Sequence, residues 1–565
     1  MASQVDIQNS SAKDPLEVSS AKLSDSELTP TPDGGEPTKY ERNTLPLVSD
    51  TVPLAAWLVC IVETAERFTY YALSGPFQNY MQYPYGNELV PGALGLGQAN
   101  ASSISYGFMF WMYVTPMLSA WLADSYFGRL RTVTVGASMY ICGLLILFVT
   151  SLPYSLERGA GLGGFITALF LIGSGAGFIK ANVGIMIFEQ YTETRQKVAT
   201  LKSGERVIID PQTTISNIYM IFYNVLCIGC LSGIPTTYIE HRIGFWAAFL
   251  LPFCVFWIAI ITLIVGRKRY VQSPPQPLLG KAFRVFRIAI KNGFNMDAAK
   301  PSHQAQNGGT DNITWDDKFV VELKRSLYAC KVFIPQPIAW LCYLQATNNL
   351  VSQAGTMERH GLPNDILYNF TLIIEIVLIH VFRTSLYPLL RRWHVGIGPI
   401  RRITAGFLAG TLGIAWAAIV QKIIYSAGPC YDAPLTCEAS EGGTIPNRVH
   451  VMLQFPTYVL FALSEVGFAI TASEYAYTKA PKSMKGIVGS INYLTVAVAA
   501  LLGMAVSRAA KDPGLTWMYT ALAVVYFVVT CVFWYLCRGY DALEDELFNL
   551  DAEVDEGSRA EQIAR

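Results

Sequence analysis

Glu63, Glu66 and Arg67 lie within one turn of one another, followed by Tyr70 and Tyr71, in a stretch that is otherwise apolar. Helical spacings of three and four put Glu63, Glu66, Arg67 and Tyr70 along one face. Arg67 can pair with either carboxylate, so the cluster is negative overall when both are ionised. Such a cluster takes a proton at modest cost, because one proton relieves the like-charge repulsion. Two further charges stand alone in apolar runs: Lys180, in Gly173-Ser-Gly-Ala-Gly-Phe-Ile-Lys-Ala-Asn, and Glu465, in Leu460-Phe-Ala-Leu-Ser-Glu. The first half of the chain thus supplies two cations and the second half an acid, a gap that a zwitterion with separated amine and carboxylate would bridge. A structural salt bridge between Lys180 and Glu465 is the other reading. The two are compatible, since a bridge that substrate breaks would serve as a gate. Glu375 is a weaker candidate, equally consistent with a satisfied hydrogen bond to a neighbouring helix. Of six histidines, His380 alone falls deep in an apolar run and none precedes His241, so proton chemistry in the first half must run on carboxylates.

The types and spacings that other chemistries need are missing. There is no metal-ligand pair, no Ser/His/Asp arrangement and no GxxxxGK[ST] phosphate loop, so neither an enzyme nor a cofactor or metal is expected. No nucleic-acid partner is expected either. Most of the 11 cysteines sit in apolar runs and read as small buried hydrophobes. Cys430 and Cys437 share a polar loop, where a disulfide is expected if that loop faces outward.

Elements that hold such charges must span a lipid bilayer. Hydrophobic residues make up 52% of the chain and charged ones only 15%, against about 25% charged in a soluble domain. A bilayer span takes about 20 mostly apolar residues. Such segments occur near 54–82, 100–123, 132–152, 163–189, 214–238, 243–265, 328–352, 366–390, 401–425, 449–474, 485–507 and 515–537, twelve in all. Within a bilayer each buried charge costs at least about 2.5 kcal/mol, so by default the ionisable residues mark a pathway. Arg129, Arg131, Arg195, Lys197, Arg391 and Arg392 fall in alternate loops, and the loops between are poor in base. That asymmetry places both termini in the cytoplasm and the Cys430/Cys437 loop outside. The expected units are a disordered tail (1–50), a six-helix bundle (51–266), a cytoplasmic linker (267–326), a second six-helix bundle (327–538) and an acidic tail (539–565). An amphipathic helix is expected at Trp315–Leu327. Gly173-xxx-Gly177 lets helices approach closely.

Glu63-Thr-Ala-Glu-Arg-Phe-Thr-Tyr-Tyr resembles the ExxERFxYY of the proton-dependent oligopeptide transporter family. The likeness runs over almost all of 53–540, through Ala123-Asp-Ser-Tyr-Phe-Gly-Arg, the run at Lys180, Phe222-Tyr223 and Asn348-Asn-Leu-Val-Ser-Gln-Ala-Gly. It ends with Glu474-Tyr-Ala-Tyr-Thr-Lys-Ala-Pro-Lys-Ser-Met-Lys, and is most like fungal di- and tripeptide permeases. The resemblance implies an all-α transmembrane major facilitator fold of twelve helices in two six-helix bundles. It further implies alternating access and inward symport of di- and tripeptides with protons, by a monomer in the plasma membrane. Arg67 and Lys180 would hold the peptide carboxylate and Glu465 its amine. Tyr70, Tyr71 and Trp340 would shape side-chain pockets, with Tyr106 and Gln345 also at the substrate site. Glu63 and Glu66, with Arg67, would carry proton coupling. The sequence departs from the family pattern at several places. Cys227 stands where the family has an Asn, Leu344 where an acid precedes Gln345, Arg383 where an Asp precedes Tyr-Pro, and Tyr106 where some members have a His. Nitrate or another small organic anion is the rival cargo, as in plant relatives. A non-transporting peptide sensor is the rival class.

Overall fold

The computed structural model describes residues 28–29 and 37–539, apart from 87–89, 194, 202–205, 273–277, 307–313, 387–388, 390–391, 393–397, 442–443 and 480–483. Six long helices build the first half: α1 (Leu54–Gln82), α2 (Gln98–Leu122), α3 (Arg129–Thr150), α4 (Gly161–Glu189), α5 (Pro211–Cys230, resumed as Gly233–Arg242) and α6 (Phe245–Gly266). Six more build the second: α7 (Gln336–Tyr343, resumed as Asn349–Gly355), α8 (Leu367–Val381), α9 (Pro399–Ser426), α10 (Phe455–Glu465, resumed as Thr471–Lys479), α11 (Lys485–Ser507) and α12 (Leu515–Cys537).

Among the described residues, eight of these are long and apolar enough to cross a membrane on length and composition alone, and the helix pair that includes α7, bent by 43°, would be a ninth. The other three are α1, α2 and α5. Their polarity has a structural cause: Glu63, Glu66, Gln78 and Asn79 of α1, and Ser102, Ser105 and Ser119 of α2, are buried inside the protein. Helices facing a polar interior lose apolar residues without losing their place in the bundle.

Each half has its own apolar core. Tyr80, Tyr140, Phe165, Phe249 and Phe256 pack in the first, and Phe333, Phe407, Phe461, Tyr519 and Tyr526 in the second. Leu344 of α7 and Ala500 of α11 join the first core, so the halves share a seam. Among the described residues, helix contacts across the halves include α2 with α11, α5 with α8, and the second part of α7 with α1 and α2. Gly173 and Gly177 face α2, where added Cβ atoms would meet Trp111 and Thr115. Gly175 faces α3, and a Cβ there would come 2.6 Å from the Gly136 carbonyl oxygen.

Part of the amino-terminal tail, expected to be disordered, is ordered. Leu28–Thr29 (β1) and Leu47–Val48 (β2) flank the hairpin Lys197–Leu201 (β3) and Arg206–Ile209 (β4) in a sheet of order β1-β3-β4-β2. Between β1 and β2, Lys39–Thr44 is a short helix with a capping box of Thr38 and Glu41. Arg206 Nη2 lies 2.6 Å from Glu41 Oε1. The β-branched Val198, Thr200, Val207, Ile208 and Ile209 favour strands, and a hairpin edge orders an otherwise polar segment. Residues 1–27, 30–36 and 540–565, the rest of the expected tails, lie outside the described residues.

The linker is folded too. Helices Leu278–Lys291 and Asp317–Ala329 (the latter close to the expected amphipathic helix) bury Ala282, Val285, Phe319, Val320 and Leu323 against Met484 and Ile487, at the start of α11. Asp297 is 2.8 Å from both Lys300 and Lys324, and these cations hold its carboxyl down at about 2. At the opposite end of the bundle Cys430 and Cys437 are disulfide-bonded, the pairing expected if that loop faces outward.

Candidate functional site

A cavity of about 340 Å³ lies between the halves. Glu63, Arg67, Tyr71, Lys180, Gly184, Phe222, Leu226 and Cys230 line it from the first half, and Leu372, Glu375, Ile376, Glu465 and Tyr493 from the second.

The helix face expected on α1 exists. Arg67 Nε lies 2.9 Å from Glu63 Oε1 and 2.9 Å from Glu66 Oε2. Glu66 is fully buried, and the second oxygen of Glu63 accepts no hydrogen bond from the described residues. Close packing fixes the guanidinium stem: a Cβ on Gly229 of α5 would come 2.9 Å from Arg67 Cβ. One cation therefore serves two carboxylates, in a site where any new anion must compete for it.

Lys180 is held by rings rather than acids. Its Nζ sits 4.6 Å from the Tyr70 ring centroid, 4.9 Å from that of Tyr113, and 3.5 Å from Met112 Sδ. Cation–π contact stabilises the ammonium without neutralising it. The sequence-level salt bridge between Lys180 and Glu465 is not formed; the two line one cavity from different halves. Glu465 ends the first part of α10, just before the π-turn Val466–Ile470, and its Oε2 has no hydrogen-bond partner among the described residues. π-turns recur at functional sites. Glu375 of α8 faces the same cavity, so the weaker sequence candidate belongs to the site.

The remaining candidates are placed differently. Tyr71 lines the cavity, and Tyr70 lies beneath it, its hydroxyl 3.5 Å from Met109 Sδ. Trp340 is off the cavity wall, edge-on to Tyr343 (5.7 Å) and Phe468 (5.2 Å), with its indole N–H unpartnered among the described residues. Tyr106 and Gln345 are fully buried and bonded to each other, Gln345 Nε2 donating to the Tyr106 hydroxyl at 2.8 Å. They belong to a seam that closes the disulfide-bearing end. There Ser102 donates to Asn349 at 3.1 Å, Gln98 to Asn349 at 3.0 Å, Gln78 to Ser352 at 3.1 Å, and Asn79 to Asn364 at 2.9 Å. His380, expected deep in its segment, is exposed in the last turn of α8. Leu344 is 7% exposed and packs on the first half's core. The side chains of Cys227 and Arg383 lie outside the described residues.

Sequence reasoning missed Tyr113 and Tyr493, which carry no charge to mark them, and Glu240 with Asp365, which sit just beyond the expected segment ends where charges look like loop charges.

The model of the POT family matches residues 130–521. A peptide transporter of Candidozyma auris is 48% identical over 534 residues, 94% of this chain and 92% of that protein. A peptide transporter of Saccharomyces cerevisiae is 44% identical, over 94% of this chain and 87% of its own length. Two crystal structures share the fold. A POT family transporter crystallised in meso has a TM-score of 0.68 at 19% identity, over 87% of this chain and 99% of its own. An auto-inhibited POT family peptide transporter has a TM-score of 0.65 at 22% identity, over 86% of this chain and 97% of its own. The all-α transmembrane major facilitator fold and the family are therefore shared by sequence and structure: the chain belongs to the POT family.

Proposed function

We propose that this protein is a proton-coupled symporter that imports di- and tripeptides by alternating access, as a monomer in the plasma membrane with both termini cytoplasmic. One observation carries the reading: a single cavity has Arg67 and Lys180 on one wall and Glu375 and Glu465 on the other. A free peptide, with an amine and a carboxylate several bonds apart, matches that polarity. A nitrate or other small anion would leave two carboxylates facing it uncompensated. The cavity volume, about 340 Å³, falls in the range of small-molecule sites. The names of the fungal relatives, peptide transporters, point the same way.

In the proposed cycle Lys180 and Arg67 hold the carboxylate, and Glu465, with Glu375 beside it, holds the amine. A proton on Glu63 or Glu66 releases one of the two ion pairs at Arg67 and frees the guanidinium for substrate. Tyr71 and Tyr493 bound the space for side chains. The domain division is read as two rocking bundles (51–266 and 327–538), joined by a linker (267–326) and flanked by tails (1–50 and 539–565). The disulfide in the 427–447 loop supports an outward placement of that end.

Glu66→Gln mimics a permanently protonated carboxyl and tests the coupling. In proteoliposomes exchange of labelled dipeptide should survive in part, since exchange needs only the loaded carrier to reorient. Uphill uptake driven by a pH gradient should vanish, since the empty carrier can no longer reset by releasing a proton. The reading fails if this variant still concentrates peptide. Loss of exchange as well would reassign coupling to Glu63 or Glu465. A pure sensor would show neither flux in the parent chain.

A further inference from the structure

Away from the cavity, two buried acids meet at the seam between α5 and α8. Glu240, in the last turn of α5, and Asp365, just before α8, are each 2% exposed, and their carboxyl groups stand within hydrogen-bond reach of each other. One residue comes from each half. Asn79 Nδ2 donates to Glu240 Oε1 at 3.0 Å, and the amides of Asn79 and Asn364 bond reciprocally at 2.9 and 2.7 Å. Apart from the backbone N–H of Asp365 itself, no donor among the described residues is positioned on either Asp365 oxygen or on Glu240 Oε2. Among the described residues, the other titratable groups that bear on the pair are the Tyr458 phenol from α10 and the Arg359 guanidinium from the preceding loop, whose field also reaches Tyr83 and His241.

The charges do not balance without a proton. Arg359 offsets one negative charge, and a second carboxylate in contact with the first would be buried, unpaired and repelled. With one proton shared, the carboxylic O–H donates to the partner carboxylate and the contact becomes a charge-assisted hydrogen bond. Because this bond joins the halves beside the Asn79–Asn364 amide pair, it holds the disulfide-bearing end closed.

We infer that Glu240 and Asp365 form a proton-binding latch between the two halves, which closes the outer end when it holds one proton and opens it on release. The latch rests on the alternating-access reading and adds to it a site separate from the cavity. Its proton binds from the outer medium and returns there when the halves part. It therefore sets which way the empty carrier faces and is not the proton delivered to the cytoplasm.

The distance between the halves tests this directly. Spin labels are introduced by a non-cysteine chemistry at Tyr154, at the outer end of the first half, and Tyr431, in the disulfide loop of the second; both are exposed. The full chain in nanodiscs, without peptide, is measured between about pH 5 and about pH 8. The ratio of long to short distances is expected to rise by about tenfold across that range. In Glu240→Gln and in Asp365→Asn an amide N–H replaces the shared proton, so the short distance should persist at both ends of the range. If either single variant does not fold, the double Glu240→Gln, Asp365→Asn chain provides the same test. A parent chain whose distances ignore pH overturns the inference, as do amide variants that keep the parent's response. Closure by sodium or calcium at fixed pH would make the pair a metal-cation site and overturn it too. Peptide plays no part in the measurement, so failure of peptide import and failure of the latch are separate results.

Discussion

Lys180 shows how much a residue's surroundings decide. On charge alone it could be a bridge to Glu465 or a ligand for substrate, and the rings of Tyr70 and Tyr113 leave its charge available. A ligand role has a specific consequence. Lys180→Ala should weaken binding of free-acid dipeptides far more than of their C-terminal amides. A lost charge-assisted hydrogen bond is worth about 1.5–3 kcal/mol, or about one to two decades in affinity. Competition binding of the two ligand types on purified protein measures the difference. Equal losses for both would give Lys180 a purely structural role.

Among the elements, α4 carries the tightest demand on side-chain size. Gly175 brings α3 and α4 into backbone contact, and a methyl group there would meet the Gly136 carbonyl at 2.6 Å and Tyr140 at 2.8 Å. Neither neighbour can swing aside, so the helices must separate. Gly175→Ala should cost about 1–3 kcal/mol through overpacking. Gly163, on the same helix, has nothing within 4 Å of an added Cβ. There Gly→Ala should be neutral or stabilise by up to about 1 kcal/mol, by helix propensity. Thermal unfolding in detergent compares the two; equal melting temperatures would mean that α3 and α4 are not packed as described. The broken elements follow a different logic. α5, α7 and α10 are interrupted where polar side chains face the seam or cavity, so a break in an apolar run here marks a wall of the pathway.

For the molecule as a whole, orientation follows from where base accumulates. Lys/Arg-rich loops and the folded linker lie at one end and the disulfide loop at the other. An epitope inserted in 427–447 should be detected on intact cells, and one in 267–326 only after permeabilisation. Detection of the linker epitope on intact cells would reverse the orientation, and with it the side from which the latch takes its proton. The linker itself does not confuse pH experiments. Asp297, held at about 2 by Lys300 and Lys324, keeps its ion pairs above the ordinary carboxylate range near 3.8 and loses them only as pH falls through its lowered value. Transport assays between about pH 5 and about pH 8 therefore leave it ionised.

The sequence by itself determined the membrane class, the twelve spans, the two halves and the charged face of α1. Apolar run length and helical spacing are local properties, and Glu63, Glu66, Arg67 and Tyr70 needed only a periodicity of 3.6 to fall together. The Cys430–Cys437 pair was legible for the same reason, being close in sequence and in a polar loop. What only the tertiary structure decided lies between elements. Whether Lys180 meets Glu465 or the rings of Tyr70 and Tyr113 depends on how α4 sits against α1 and α2. Whether Tyr106 and Gln345 line the cavity or close the disulfide-bearing end depends on where α2 crosses α7 and α11. The pairing of Leu28–Thr29 with Thr200–Leu201 joins segments far apart in the chain, so no local signal announced that part of the tail is ordered. Glu240 and Asp365 looked like loop charges because hydropathy stops where a buried acid begins. Only packing the two halves together brings those carboxyl groups face to face, and burial in that contact is what turns two ordinary acids into a candidate switch.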